Sequence, residues 1–334
     1  MVAISKDKSY LMKGIVIIMM IFLHLFNGNK TDMCVNLLYI GDEPFAKYLS
    51  NACGPVAFFV LLSGYGLAYT NEKKGLALLS QLKRIYKLYF HYWMILAVFL
   101  PIACYLHAER YPGTWERLVS NILGWKTDYN FEMWFLLPYS LIALTSQYII
   151  RAMEKIGNLK AVIVTAVIYF SACYVISRYC TSFLADYPLL SLCVVYLQFL
   201  YPFSVGVAFY RSPSKIKWQM PTWLVLLVMA VAITVVATIN ISFTYIVYVP
   251  LMVFLFNQLS YPKWLEKTLI ELGKKSMVMW MIHTWYCNYL FKEEVYSLKY
   301  PILILGEVII ISYLSAILFM WFTRKLLAIT GFKG

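Results

Sequence analysis

Charge is scarce in this chain of 334 residues: Asp, Glu, Lys and Arg make up only 13% of it, roughly half of what soluble domains carry. A water-soluble globule cannot clothe its core with so little, which excludes that class. Cysteine gives no framework either. The seven cysteines are scattered, with no CxxC and no Cys/His spacing suited to a metal. There is no Walker A loop, no GxGxxG, no HExxH, and no G-x-S-x-G elbow around Ser63. These absences leave no metal and no dinucleotide cofactor to expect. Basic stripes with interleaved aromatics are also missing, so the net charge of +13 does not point to nucleic acid. Repeats, low-complexity tracts and linkers are absent, and one domain over residues 1–334 is the economical reading. No small-residue cleavage site follows the first apolar run, so that run is expected to stay as a helix.

Hydrophobic residues are abundant, at 62%, with a mean hydropathy of +0.69. A bilayer core of about 30 Å needs roughly 20 apolar residues per helix. Ten stretches qualify: Leu11–Phe26, Ala52–Thr70, Leu88–Leu106, Met133–Ile150, Ala161–Ser177, Leu189–Tyr210, Thr222–Ala237, Phe243–Leu259, Ser276–Phe291 and Tyr300–Thr323. None shows the period-2 alternation of a membrane barrel. The expected fold is an all-α polytopic membrane protein with about ten helices, its surroundings the lipid bilayer. Numbering the loops alternately puts most of the 29 Lys and Arg on one side, which includes both termini and, for example, Lys83, Lys215, Lys217 and Lys333. The positive-inside rule makes that side cytoplasmic. Residues 27–51 and 107–132 then form the longest outer loops, rich in Tyr, Trp, Asp and Asn, and suited to a polar outer substrate.

Ionisable side chains inside apolar helices are costly, so each is a candidate for function. His24 lies near the outer end of the first helix and Lys13 near its cytoplasmic end. Eleven residues separate them, which leaves them roughly 20° apart around the axis and about 16 Å apart along it. Both therefore look into one groove. The structural alternative is a snorkelling lysine and a hydrogen-bonded histidine. His283, midway through the ninth stretch, has the same alternative as an interhelical donor. Glu132 enters the fourth stretch at the level of His24, where it could orient an imidazole or simply be solvated. Glu307 reads as a buried carboxylate paired with Tyr or His. Ser63-Gly64-Tyr65-Gly66 reads first as a close helix contact. The cluster Lys83-Arg84-Ile85-Tyr86-Lys87 is either a topology signal and lipid contact or a cradle for the phosphates of a nucleotide-like donor.

Together these pieces resemble the integral-membrane acyltransferase 3 family, whose members O-acylate glycans and other envelope substrates. Lys13 through His24 looks like its first-helix motif, a basic residue, ten residues, then His. Phe58-Phe59-Val60-Leu61-Leu62-Ser63-Gly64-Tyr65 looks like its FFxxSGF/Y motif. Glu132-Met133-Trp134-Phe135-Leu136 resembles its WFL segment, and Leu272-Gly273-Lys274-Lys275-Ser276 with His283 its LGxxS…H motif. Two positions depart: Lys13 stands where Arg is common, and the family's RxxR appears as Arg84-Ile85-Tyr86-Lys87. Lys meets phosphate as a point charge, whereas Arg does so bidentately.

The resemblance implies an acyl-CoA donor, acetyl-CoA first among them, and an extracytoplasmic glycan or lipid-linked saccharide as acceptor. It implies an integral protein of a bacterial inner membrane. Lys13, Lys83, Arg84 and Lys87 are then expected to hold the donor, and His24 to act as general base. Glu132 is expected to support His24, with Ser63, Tyr65 and His283 as donors to the thioester oxygen. The competing class is a transporter or flippase for a glycolipid or small anion, which would also place ionisable residues along a path.

Overall fold

The computed structural model describes residues 3–179, 187–212 and 219–329. Of the residues used for loop charge, Lys215, Lys217 and Lys333 lie outside these. The first helix, α1 (Lys6–Phe26), starts where the Ser5 side chain accepts the amide of Lys8, with Asp7 in its first turn. Such a cap satisfies a donor that has no partner within the helix. After α1 come a short β-hairpin of β1 (Tyr39–Ile40) and β2 (Glu43–Pro44) and the single turn of α2 (Phe45–Ser50). Then follow α3 (Pro55–Lys74), α4 (Leu78–Leu106), α5 (Trp115–Leu123), α6 (Leu136–Ile156), α7 (Asn158–Tyr179) and α8 (Pro188–Arg211). The chain continues through α9 (Thr222–Ile239), α10 (Tyr245–Gln258), α11 (Lys263–Thr284), α12 (Lys292–Tyr296) and α13 (Pro301–Ile329).

Each of the ten apolar stretches is helical, and among the described residues 8 helices are long and apolar enough to cross a bilayer. The protein is an all-α polytopic membrane protein. Two stretches depart from the simple picture. α10 spans only 14 residues. α11 begins at Lys263, well before the apolar run at Ser276, because its polar half is amphipathic and holds Glu271 between Lys274 and Lys275. It runs on without a break into a π-helical turn, Trp285–Leu290. α4 likewise starts ten residues before its apolar stretch, so Lys83, Arg84 and Lys87 sit on a helix.

Glycines set the two closest helix contacts. A Cβ on Gly14 would collide with the carbonyl of Leu269, and one on Gly273 with that of Tyr10, so α1 and α11 nearly touch by their backbones. Gly64 of α3 and Gly206 of α8 make an equivalent contact, against the carbonyls of Phe203 and Leu61. Small residues at such points let helices approach within van der Waals range of their main chains. Glu307 is a correction: it is exposed on α13 and makes no ion pair among the described residues. The buried stripe of α13 runs through Ile304, Val308, Ser312 and Ala316, and Glu307 falls off that stripe by about 100°.

Candidate functional site

α1 and α11 run in the same direction, since Gly14 meets Leu269 and His24 meets His283. That register brings the two histidines together. His24 Nδ1 and His283 Nε2 are 2.8 Å apart, with the rings stacked at 22° and centroids 5.1 Å apart. His283 is fully buried. Its other nitrogen, Nδ1, lies 3.1 Å from the carbonyl oxygen of Met279 and 2.8 Å from that of Trp280. Lys30 donates to the carbonyl of His24 at 2.6 Å, placing an ammonium at the C-terminal end of α1, where the helix dipole favours it. Burial holds the pKa of Lys30 below the usual lysine value, with Cys287 and Glu132 opposing that fall.

His24 opens onto a cavity of about 340 Å³, which Glu132, Trp134, Gln198, Tyr245 and Trp280 also line. Glu132 is held from α11's π-turn: Asn288 donates at 3.0 Å and Tyr289 at 2.7 Å. With its amide turned so that its oxygen accepts Trp285, Asn130 donates to the same carboxylate at 3.1 Å. Glu132 therefore shares the cavity with His24, but its bonds go to these side chains. The bond to the imidazole comes from His283.

Toward the other end of α1 lies a second cavity, of about 180 Å³, lined by Lys13, Ser63, Tyr139, Ser276 and Trp280 among others. Trp280 borders both cavities. Its indole donates to the Glu132 carbonyl at 3.3 Å, and its ring meets Phe135 edge to face, centroids 5.2 Å apart. Lys13 packs over the Tyr10 ring at 5.7 Å and lies within electrostatic reach of Arg84. Lys83, Arg84 and Lys87 are exposed at the start of α4. Among the described residues, none of these four cations forms an ion pair with Asp or Glu. Other basic side chains do: Arg117 with Asp128, Arg211 with Glu154, Lys275 with Glu271.

Three of the expected donors to a thioester oxygen are placed differently. Ser63 faces the Lys13 cavity, donating to Tyr139 at 3.3 Å. Tyr65 is turned away, its hydroxyl accepting the amide of Ile4 at 2.9 Å and its ring against Tyr210. Two residues apart on a helix point roughly 200° apart, so both could not face one cavity. His283 has both nitrogens committed, one to His24 and one to backbone carbonyls, and keeps no free N–H for a substrate. His91, a third histidine within the helices, is bonded through Nδ1 to the Lys87 carbonyl at 2.7 Å and lines neither cavity.

A family model described as an acyltransferase domain, that of acyltransferase 3, matches residues 10–321. The chain belongs to the acyltransferase 3 family. No curated protein and no solved structure matches it. As a member of that family it is a membrane-embedded acyltransferase, and every residue lining the two cavities falls inside the matched span.

Within this acyltransferase, two cavity residues and one beside the His24 carbonyl escape sequence reasoning. Gln198 is the one amide side chain in an apolar helix, a signal of the same kind as His24. Lys30 sits among loop residues and resembles any loop lysine. Trp280 is one aromatic among 10 Trp in the chain, and nothing in its neighbours marks it.

Proposed function

We propose that the protein takes an acyl group, acetyl in the first instance, from cytoplasmic acyl-CoA and gives it to a hydroxyl of an extracytoplasmic glycan or other envelope substrate. One observation carries the reading: two cavities that share Trp280 lie along α1, one lined by Lys13 beside the unpaired cations and the other lined by His24. Like charges gathered without carboxylates repel unless a polyanion joins them. The phosphates of CoA fit Lys13, Lys83, Arg84 and Lys87 as charge-assisted acceptors. Positive loop charge makes that end cytoplasmic, in the inner membrane of a bacterium.

From there the pantetheine arm would follow the Lys13 cavity past Ser63 and Ser276 to Trp280, and so reach the His24 cavity. Along α1 that path rises about 16 Å. His24 takes the proton of the acceptor hydroxyl as its oxygen attacks the thioester carbonyl. The C–S bond then breaks, the CoA thiolate receives the proton, and the ester forms. Glu132, Trp134, Gln198 and Tyr245 supply the polar and aromatic walls that a hydroxyl-rich acceptor needs. Donor and acceptor approach from opposite faces, so the acyl group crosses the bilayer while CoA stays. Membership of an acyltransferase family favours this over transport of a glycolipid or anion.

Mass spectrometry of surface glycans, made with and without the protein, tests the reading. Acetyl groups that depend on the protein are expected. Identical glycans in the two cases, together with no acyl-CoA binding by the purified protein, would overturn it.

A further inference from the structure

The His24–His283 pair is a chain of hydrogen bonds whose polarity can be worked out from its closed end. Carbonyl oxygens only accept. Two of them, on Met279 and Trp280, lie 3.1 and 2.8 Å from His283 Nδ1, so this nitrogen carries a proton. His283 is fully buried, and no carboxylate is bonded to either ring. A charged imidazolium is costly in such a place, so the resting ring is neutral. A neutral imidazole has one N–H. His283 Nε2 is therefore a bare acceptor, and the 2.8 Å contact with His24 Nδ1 is a bond that His24 donates. His24 then has its proton on Nδ1, and its Nε2 is left with a free lone pair.

The geometry points to His283 as a positioning residue that fixes the tautomer of His24 and so leaves Nε2 as the base. The tautomer of a histidine is set by the bond its other nitrogen makes. A carboxylate commonly makes that bond, but here a second histidine does so, itself set by two backbone carbonyls. The arrangement also handles the proton taken up. When His24 Nε2 accepts a proton from the acceptor hydroxyl, the imidazolium stays on His24, which borders the cavity, and its Nδ1–H keeps the bond to His283 Nε2. Delivery of the Nε2 proton to the CoA thiolate leaves both rings neutral. Glu132, held by Asn288 and Tyr289, is free of this duty.

The inference rests on His24 as the base, and its test can fail separately from that reading. Purified protein labelled with nitrogen-15 in its histidines is studied by NMR at neutral pH, the His24 signals being assigned through His24→Ala. His24 is expected to show a protonated Nδ1 and a bare Nε2. A proton on Nε2 of His24 overturns the proposal whatever the activity. His283→Leu removes the acceptor and should release His24 toward the other tautomer. It should lower kcat by on the order of 10²–10⁴, the range for a displaced base, with KM for acyl-CoA unchanged. His283→Gln puts an amide oxygen within reach of the same N–H and should recover at least about tenfold of that loss. Gln and Leu equally impaired, with acyl-CoA binding intact in both, overturns the positioning role. If wild type transfers no acyl group to any acceptor, the acyltransfer reading fails, and the NMR still decides the tautomer.

Discussion

The two ends of α1 treat polar groups in opposite ways. Around His24 the polar side chains are tied to one another or to the backbone: His24 to His283, His283 to two carbonyls, Glu132 to Asn288 and Tyr289, Lys30 to the His24 carbonyl. Around Lys13 the cations stand without carboxylates, three of them exposed. A hydrogen-bonded network in a low-dielectric interior resists rearrangement and holds its geometry before substrate arrives. Unpaired charge does the reverse and waits for a ligand to complete it. On the proposed function, the difference separates chemistry from capture: one end would be prearranged for a proton, the other open to a polyanion.

His24→Ala should break the comparison most severely. Loss of a general base costs on the order of 10²–10⁴ in turnover. Because the cations are untouched, calorimetry should find acyl-CoA binding as in wild type. Turnover at the wild-type rate would make His24 a packing residue. Next in size is neutralisation at the other end. A charge-assisted contact to phosphate contributes about 1.5–3 kcal/mol, so Arg84→Gln, Lys87→Gln and Lys13→Met should each weaken acyl-CoA binding roughly 10- to 100-fold. The His24 end should be unaffected. Unchanged donor affinity with all three replaced would leave the cluster as a topology signal alone.

How much of this was legible in the sequence follows from what each helix carries within itself. Lys13 and His24 share an uninterrupted helix, so their spacing alone fixes a common face. The ten apolar stretches were legible for the same reason, because hydropathy is a local property. His283 was visible as a costly polar residue, but its partner lies 259 residues away, and periodicity does not say which helices adjoin. Gly14 and Gly273 make that choice through backbone contact, and a single glycine in a helix does not announce its partner. Ser63 and Tyr65 lie two residues apart, and the helical period alone sends them to different faces. Glu132 borders the His24 cavity, but its bonds depend on the π-turn that presents Asn288 and Tyr289, and a π-turn has no clear sequence mark.

The contact that sets the histidine register can be tested directly. Gly273→Val would drive side-chain atoms into the Tyr10 carbonyl. Overpacking of this kind costs about 1–3 kcal/mol, and here it should also push α11 off α1 and lengthen the His24–His283 bond. Thermal unfolding in detergent should fall, and turnover should drop further than donor binding does. Gly66→Ala, at a position with open space around it, serves as the control and should change neither. Equal losses in the two variants would detach the helix contact from the site.

The smallest effect is expected outside the membrane, where the outer loop carries its own paired network. Arg117 Nε lies 2.6 Å from Asp128 Oδ2, and Asn121 donates to Asp128 Oδ1 at 2.5 Å. Burial by itself would raise the pKa of Asp128, but the bonds from Asn121 and Arg117, with the Arg117 charge, outweigh it and hold the value below 3.8. The folded value is thus lower than the unfolded one. Such a carboxylate contributes stability above the unfolded pKa, and that stability is lost as pH falls through the folded value. Half of the Asp128 side chain is exposed, so solvent screening keeps the contribution small, within about 1 kcal/mol. Protection of amides between His107 and Phe131, measured against the intrinsic exchange rate at each pH, should fall in acid, while protection around His283 stays high. Asp128→Asn should show the lower loop protection already at neutral pH and lose most of its acid dependence. An unchanged acid response in that variant would assign the effect to another carboxylate, with Glu116, paired to Lys126 across the same loop, next to be replaced.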